Sequence, residues 1–308
     1  MGPLPLPVEI FLTFRECIPL SDIRTHVCFY KTHPRIAALY DAEEKSDEFW
    51  RHLCWHSGIT ALYGDDLKDP GCWRRIAMEV VEKDGFCKHP QCGEGLLEYN
   101  RQRMVLAEKH VRSPLIYAFK QHGTAPATKG DDSSCLERLT MHRALSHLMF
   151  SPCSSGPTSG PYEGVGEEAL LRPAAHEEGT YDGSIVLMDH PLIQRSFATD
   201  VPVGQLCLTR LVGPFGEDGV GRPSGISVLD VVELIHCGLD RDLGSSAMLL
   251  FLMTMFDSLD EDWPATIPSE QLRTIRGLLR VCHLAEYKYE GTLVRGTVPH
   301  FSVRLERN

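Results

Sequence analysis

The chain reads as an α+β protein, an all-helical amino-terminal part followed by a mixed carboxy-terminal domain. Three observations lead there. Apolar residues recur at helical spacing between residues 6 and 56. Ser, Pro and Gly make up 11 of the 16 residues from Ser151 to Gly166, and beyond Thr180 the pattern turns in places to the two-residue alternation of strands. The resulting division is a helical module at 1–56, a helical extension at 57–122, a flexible linker with one expected helix at 123–179, and an α+β domain at 180–308.

In the first block, Pro7 suits the opening turn of a helix, where its missing N–H costs nothing, and Glu9 lies near the positive helix end. Leu6, Ile10 and Phe14 recur four residues apart, with Phe11 and Ile18 beside them, so one helical face is apolar and needs a cover. Ser21 is the expected N-cap of a second helix carrying Ile23 and Val27. Pro34 opens a third with Ile36, Leu39 and Tyr40, and Ser46 or Asp47 caps a fourth that gathers Phe49, Trp50 and Leu53 on one side. So small a block encloses a limited share of its apolar surface, and packing against a second protein completes it. The alternative is a subdomain that covers its own apolar face.

The extension keeps helical spacing at Trp73, Ile76, Ala77 and Val80, then at Leu106 and His110, with a further helix at Leu115 to Phe119. In the linker, Ala125 to Ser134 is loop-like and Leu136 to Leu148 is the expected helix. Ser184 to Met188 and Gln205 to Val212 read as strands, the second with Leu206 and Leu208 alternating with Cys207 and Thr209. Gly213 to Gly225, with five glycines and three charged residues, reads as a connecting loop. Ser227 followed by Asp230 signals a helix start, with the helix running to about Leu239. Apolar helices are expected near Ser246 to Leu259 and Pro268 to Leu284. Phe301, Val303 and Leu305 alternate with Ser302, Arg304 and Glu306, as a half-buried strand requires.

Composition narrows the functions. The 308 residues are 43% hydrophobic and 24% charged, ordinary for a soluble globular protein of about two domains. A net charge of −11 and no long run of Lys and Arg speak against nucleic acid as a partner. The start has prolines and Glu9 where a signal peptide needs a basic and then an apolar stretch, and Leu6 breaks the myristoylation pattern. The longest apolar run, Ala247 to Phe256, is too short to span a membrane. Eleven scattered cysteines fit free thiols in a reducing compartment, cytosol or nucleus.

Leu6, Pro7, Glu9, Ile10, Pro19, Asp22, Val27, Cys28 and Trp50 together resemble the F-box, the helical module that docks substrate receptors onto the Skp-type adaptor of SCF ubiquitin ligases. The resemblance covers about one sixth of the chain. It implies that the Leu-Pro start, the first helix and the Val-Cys segment contribute to the adaptor interface, with the late Trp packing near the module's end. The adaptor-binding set it implies is Leu6, Pro7, Glu9, Ile10, Pro19, Val27, Cys28 and Trp50. Two looser resemblances point the same way. His190-Pro191-Leu192, Gly225 to Val231 and the strand near Phe301 are similar to a small α+β domain of mushroom-forming fungi with no settled activity. Phe49-Trp50, Trp73-Arg74 and Cys87 to Gly93 resemble the layout of fungal F-box proteins, in which the second domain would recognise the target.

Catalytic signals are weak beside this. Cys87, His89 and Cys92 are the best metal candidates, since thiolate and imidazole suit zinc, yet a fourth ligand is missing locally unless Cys72, Cys54 or His56 supplies it. Buried structural cysteines are the bland alternative. No His-Glu-x-x-His sequence occurs, His142 and His147 are five apart, and no cysteine among eleven is singled out as a nucleophile. The glycines of 213 to 225 lack a following Gly-Lys-Ser or Gly-Lys-Thr, and Asp257, Asp260, Glu261 and Asp262 complete no calcium loop. The expectation is a non-enzymatic receptor without a cofactor, linking a Skp-type adaptor, and through it a cullin, to an unidentified target protein. The alternatives are an interaction module without a ligase role and a Cys/His zinc-binding protein.

Overall fold

The structure is a computed structural model that describes residues 7–42, 46–89, 91–110, 139–152, 167–171, 185–209, 218–238, 282–293 and 298–307. The expected α+β class is what it has. Six helices come first: α1 (Val8–Cys17), α2 (Ile23–Thr32), α3 (Pro34–Asp41), α4 (Ser46–His56), α5 (Cys72–Lys83) and α6 (Gly93–His110). Among the described residues, no helix is long and apolar enough to cross a membrane.

The helices start largely where local chemistry directs. Pro34 takes the first position of α3 and His33 caps it. The cap of α2 is Asp22 rather than Ser21, because its carboxylate reaches both the Thr25 N–H (3.0 Å) and the Thr25 hydroxyl (2.6 Å). Inside the first four helices lies an aromatic cluster. Tyr40 and Trp50 stack at 5.4 Å, while Tyr30, Phe49 and His26 approach edge-on. Helix α5 buries Cys72, Trp73, Ile76, Ala77, Val80 and Val81 against this block.

Next come the short helix α7 (Arg143–Ser146) and β1 (Leu148–Pro152), β2 (Glu167–Leu171) and β3 (Ile185–Val186), which pair antiparallel in that order. The long helix expected at Leu136 to Leu148 is therefore four residues within its described part, and strands stand where a linker was expected. The apolar spacing near Leu145 and Leu148 serves a tertiary purpose that local pattern does not reveal: both are buried in the core. Ile185 and Val186 are extended as expected, but Leu187–Asp189 tightens into a 3₁₀ turn ahead of α8 (Pro191–Arg195).

A second sheet has the order β5-β4-β7-β6, from β4 (Gln205–Thr209), β5 (Asp218–Gly221), β6 (Cys282–Leu293) and β7 (Val298–Arg307). Only the β4–β7 pair is parallel. Two differences arise here. β5 lies inside the glycine-rich segment expected as loop, since backbone pairing at a sheet edge needs no side chain and Gly219 admits the close approach of the Leu206 carbonyl. Cys282 to Leu284, expected at the end of a helix, belong to β6, where β7 pairs with them. The rest of the expected helices at 246–259 and 268–284, and the one at 115–119, lie outside the described residues.

Helix α9 (Val228–Gly238) starts as its sequence indicates. Asp230 accepts hydrogen bonds from the Ser227 N–H (2.9 Å) and hydroxyl (2.7 Å), and Ser227 Oγ accepts the Asp230 N–H (3.0 Å). One hydrophobic core runs through all these parts, from Phe11 and Trp50 through Ile76 and Leu96 to Leu192, Val231 and Phe301. It crosses the divisions drawn at residues 56, 122 and 179.

Candidate functional site

Helix α1 is bound to the module along a narrow line. Phe11 is buried and lies 6.5 Å from the Phe29 ring. One turn later the Arg15 guanidinium sits 4.8 Å over both Tyr40 and Phe49, a cation–π anchor. At 3.6 residues per turn, Phe11 and Arg15 share one face, and the remaining apolar side chains fall on its two flanks. These flanks are open to solvent. Val8 is 47%, Ile10 41%, Leu12 37% and Phe14 51% exposed. Val8 and Leu12 lie on one flank and Ile10 and Phe14 on the other, so each side of this ten-residue helix presents a pair of exposed apolar side chains.

The sequence-selected positions divide into surface and support. Pro7, Glu9, Ile10, Pro19 and Cys28 are exposed. Leu6 lies outside the described residues. Val27 and Trp50 are each 1% exposed, so they hold the module together from within and offer a partner no area, a correction to their selection as contact residues. Their burial follows from position: Val27 is on the inner face of α2, and Trp50 stacks on Tyr40. Pro19 and Cys28 instead line an open groove of about 960 Å³ between α2 and the start of α6. There Arg24 lies over Phe86 at 4.6 Å and pairs with Glu94 at 3.0 Å.

A second candidate lies at the end of α5. Cys87 and Cys92 are brought together by the tight loop between them, closed where Gly93 adopts φ +60° with its Cα against the Cys87 carbonyl. The third member is His190, distant in sequence, not His89. Ligand atoms of Cys87, Cys92 and His190 lie within 4.8 Å of one another. His89 Nδ1 is engaged by the Gln91 N–H (3.1 Å) within its own loop. The other suggested ligands are elsewhere: Cys54 is buried with Sγ toward the Trp73 carbonyl, and His56 faces Glu108.

The Cys92 and His190 pair is not a thiol–imidazole relay. In such a relay the base uses one ring nitrogen and its orienting carboxylate takes the other. Here His190 Nδ1 faces both Cys92 Sγ (3.4 Å) and Asp84 Oδ1 (2.7 Å). Burial, reinforced by the Asp84 carboxylate, also pushes the Cys92 thiol well above its usual range, the wrong direction for a nucleophile.

His190 and Asp84 are the residues that sequence reasoning missed. Pro191 marks a helix start after His190, but nothing in the sequence relates that turn to a loop 98 residues earlier. Asp84 looks in sequence like an ordinary polar residue after a helix, and only packing makes it buried. Comparison of the chain with family models, with curated proteins and with solved structures finds no match.

Proposed function

We propose that this chain is a non-catalytic receptor that docks a Skp-type adaptor through α1 and presents a target protein to a cullin-based ubiquitin ligase in the cytosol or nucleus. The observation that carries the reading is the pair of exposed apolar flanks of α1, with Val8, Ile10, Leu12 and Phe14 all more than a third open. The Leu6-Pro7-Val8-Glu9-Ile10 start, whose pattern resembles the F-box, lies on this helix and just before it. The role assigned to the chain is proximity: holding target and ligase on one scaffold makes their encounter intramolecular. The mixed α+β part is the candidate for holding the target.

The test is recovery of adaptor and cullin with the tagged full chain, compared with an Ile10→Asp/Phe14→Asp variant. Both side chains are exposed, so the variant keeps its melting temperature. Taking two apolar side chains out of a buried interface weakens binding by about 100-fold or more. Unchanged adaptor recovery by this variant, or no adaptor on the parent chain, overturns the reading. Adaptor without cullin points instead to an interaction module outside the ligase.

A further inference from the structure

We propose that Asp84, Cys87, Cys92 and His190 form a tetrahedral zinc site that clasps the loop following α5 to the turn opening α8. The inference is independent of the receptor reading. A zinc ion bound at about 2.3 Å to sulfur and about 2.0–2.1 Å to nitrogen sets neighbouring donor atoms roughly 3.5–3.8 Å apart. The Cys92 Sγ to His190 Nδ1 distance is 3.4 Å, and Cys87 Sγ joins them within the same 4.8 Å. The set is two thiolates and an imidazole, the donors that borderline-soft zinc favours.

The backbone supports the sulfurs as a metal-binding knuckle requires. Cys87 Sγ accepts the His89 N–H at 3.5 Å, and the Cys92 N–H closes the loop on the His89 carbonyl at 2.9 Å. Any side chain at Gly93 would meet the Cys87 carbonyl, so the loop holds this closed form with glycine there.

Asp84 supplies the fourth ligand. Its side chain is 1% exposed, and Oδ2 is fixed by the Leu192 N–H at 2.7 Å. Oδ1 lies at hydrogen-bond distance from His190 Nδ1, 2.7 Å, beside the meeting point of Cys87, Cys92 and His190, and zinc binding replaces that hydrogen bond with a bond from Oδ1 to the metal. Zinc displaces the two thiol protons, which pass to solvent, and takes the lone pair of His190 Nδ1, the single proton of the neutral ring then residing on Nε2. With four protein ligands the site is closed, and its effect is structural. It fixes two segments 98 residues apart, and metal bound only by the folded chain stabilises it by mass action.

Metal content and cobalt spectroscopy of the purified full-length protein test this. The expected content is about one zinc per chain. Exchange for Co²⁺ should give the visible absorption of tetrahedral thiolate-bound cobalt. Cys92→Ser and His190→Ala lose the metal, His89→Gln keeps it, and Asp84→Asn weakens zinc affinity by about 10-fold or more. The spectrum of the parent chain decides between site and no site even where a variant fails to fold. Absence of both zinc and the cobalt bands, or a disulfide joining Cys87 and Cys92, overturns the site. So do full metal retention by His190→Ala and an unchanged affinity in Asp84→Asn.

Discussion

His26 lies inside the aromatic cluster, with Nδ1 3.0 Å from the Tyr40 hydroxyl. Burial lowers its pKa from 6.5 to about 4, although Asp22 pulls the other way. The unfolded chain therefore binds a proton that the folded chain refuses between about pH 6.5 and pH 4. Stability is fully present above that window and is lost as pH falls through it. His142 adds in the same direction, since burial drives it well below its usual value. Its ring is also committed to the neutral form: Nδ1 accepts the Ala144 N–H, leaving Nε2–H to donate to Asn100 Oδ1. The prediction is that urea unfolding at about pH 5 shows His26 alone costing about 2 kcal/mol relative to pH 7.5. His26→Gln should flatten that part of the slope, and an unchanged slope would clear His26 of the role. None of this was legible from the residue itself, because a histidine on a short helix reads the same in sequence whether it is solvated or enclosed.

Among the elements, the start of α9 was the most legible because its signal is local. Ser227 and Asp230 stand three residues apart, the reach of a capping box, and they satisfy each other's backbone donors. Ser227→Ala should cost about 1 kcal/mol, read from the denaturant midpoint. A shift below a few tenths would show that Arg222, which holds Asp230 at 2.7 Å, suffices to fix the helix start. Helix α1 was half legible. Its apolar periodicity was plain, but which residue turned inward was decided by Phe29, Tyr40 and Phe49, the rings that receive Phe11 and Arg15. The strands β1 and β5 were hidden for a related reason: pairing comes from a partner strand, and neither carries a strong pattern of its own.

Across the whole molecule, polar side chains buried at the junctions bind the successive segments together. Arg195, with its side chain 8% exposed, reaches Asp65 at 2.6 Å and Glu79 at 3.0 Å. Thr60 N–H donates to the Arg195 carbonyl, and Phe197 N–H to that of Gly58. Beside them runs a relay in which Asn100 Nδ2 donates to Ser196 Oγ, which donates to the Leu192 carbonyl. Gly58 permits this approach, since a Cβ there would lie 2.8 Å from that of Asn100 and its φ is +70°. Arg195→Ala would remove the partner of two partly solvated carboxylates at this junction and should destabilise the chain by about 1.5–3 kcal/mol in chemical denaturation. A loss below about 1 kcal/mol would place the pairs with solvated surface bridges.

What the sequence determined by itself was the set of preferences written within a few residues: the α+β class, the helix starts at Pro34 and Ser227, the apolar character of α1, and the pairing potential of Cys87 with Cys92. Tertiary structure alone decided which of these groups met. It turned Val27 and Trp50 inward, drew β1 and β5 out of segments with little strand character, and set Asp84 and His190 beside the two sulfurs. Local preferences act over a turn of helix or a pair of strand residues, whereas contacts across 98 positions arise only when burial of a shared core brings distant segments together.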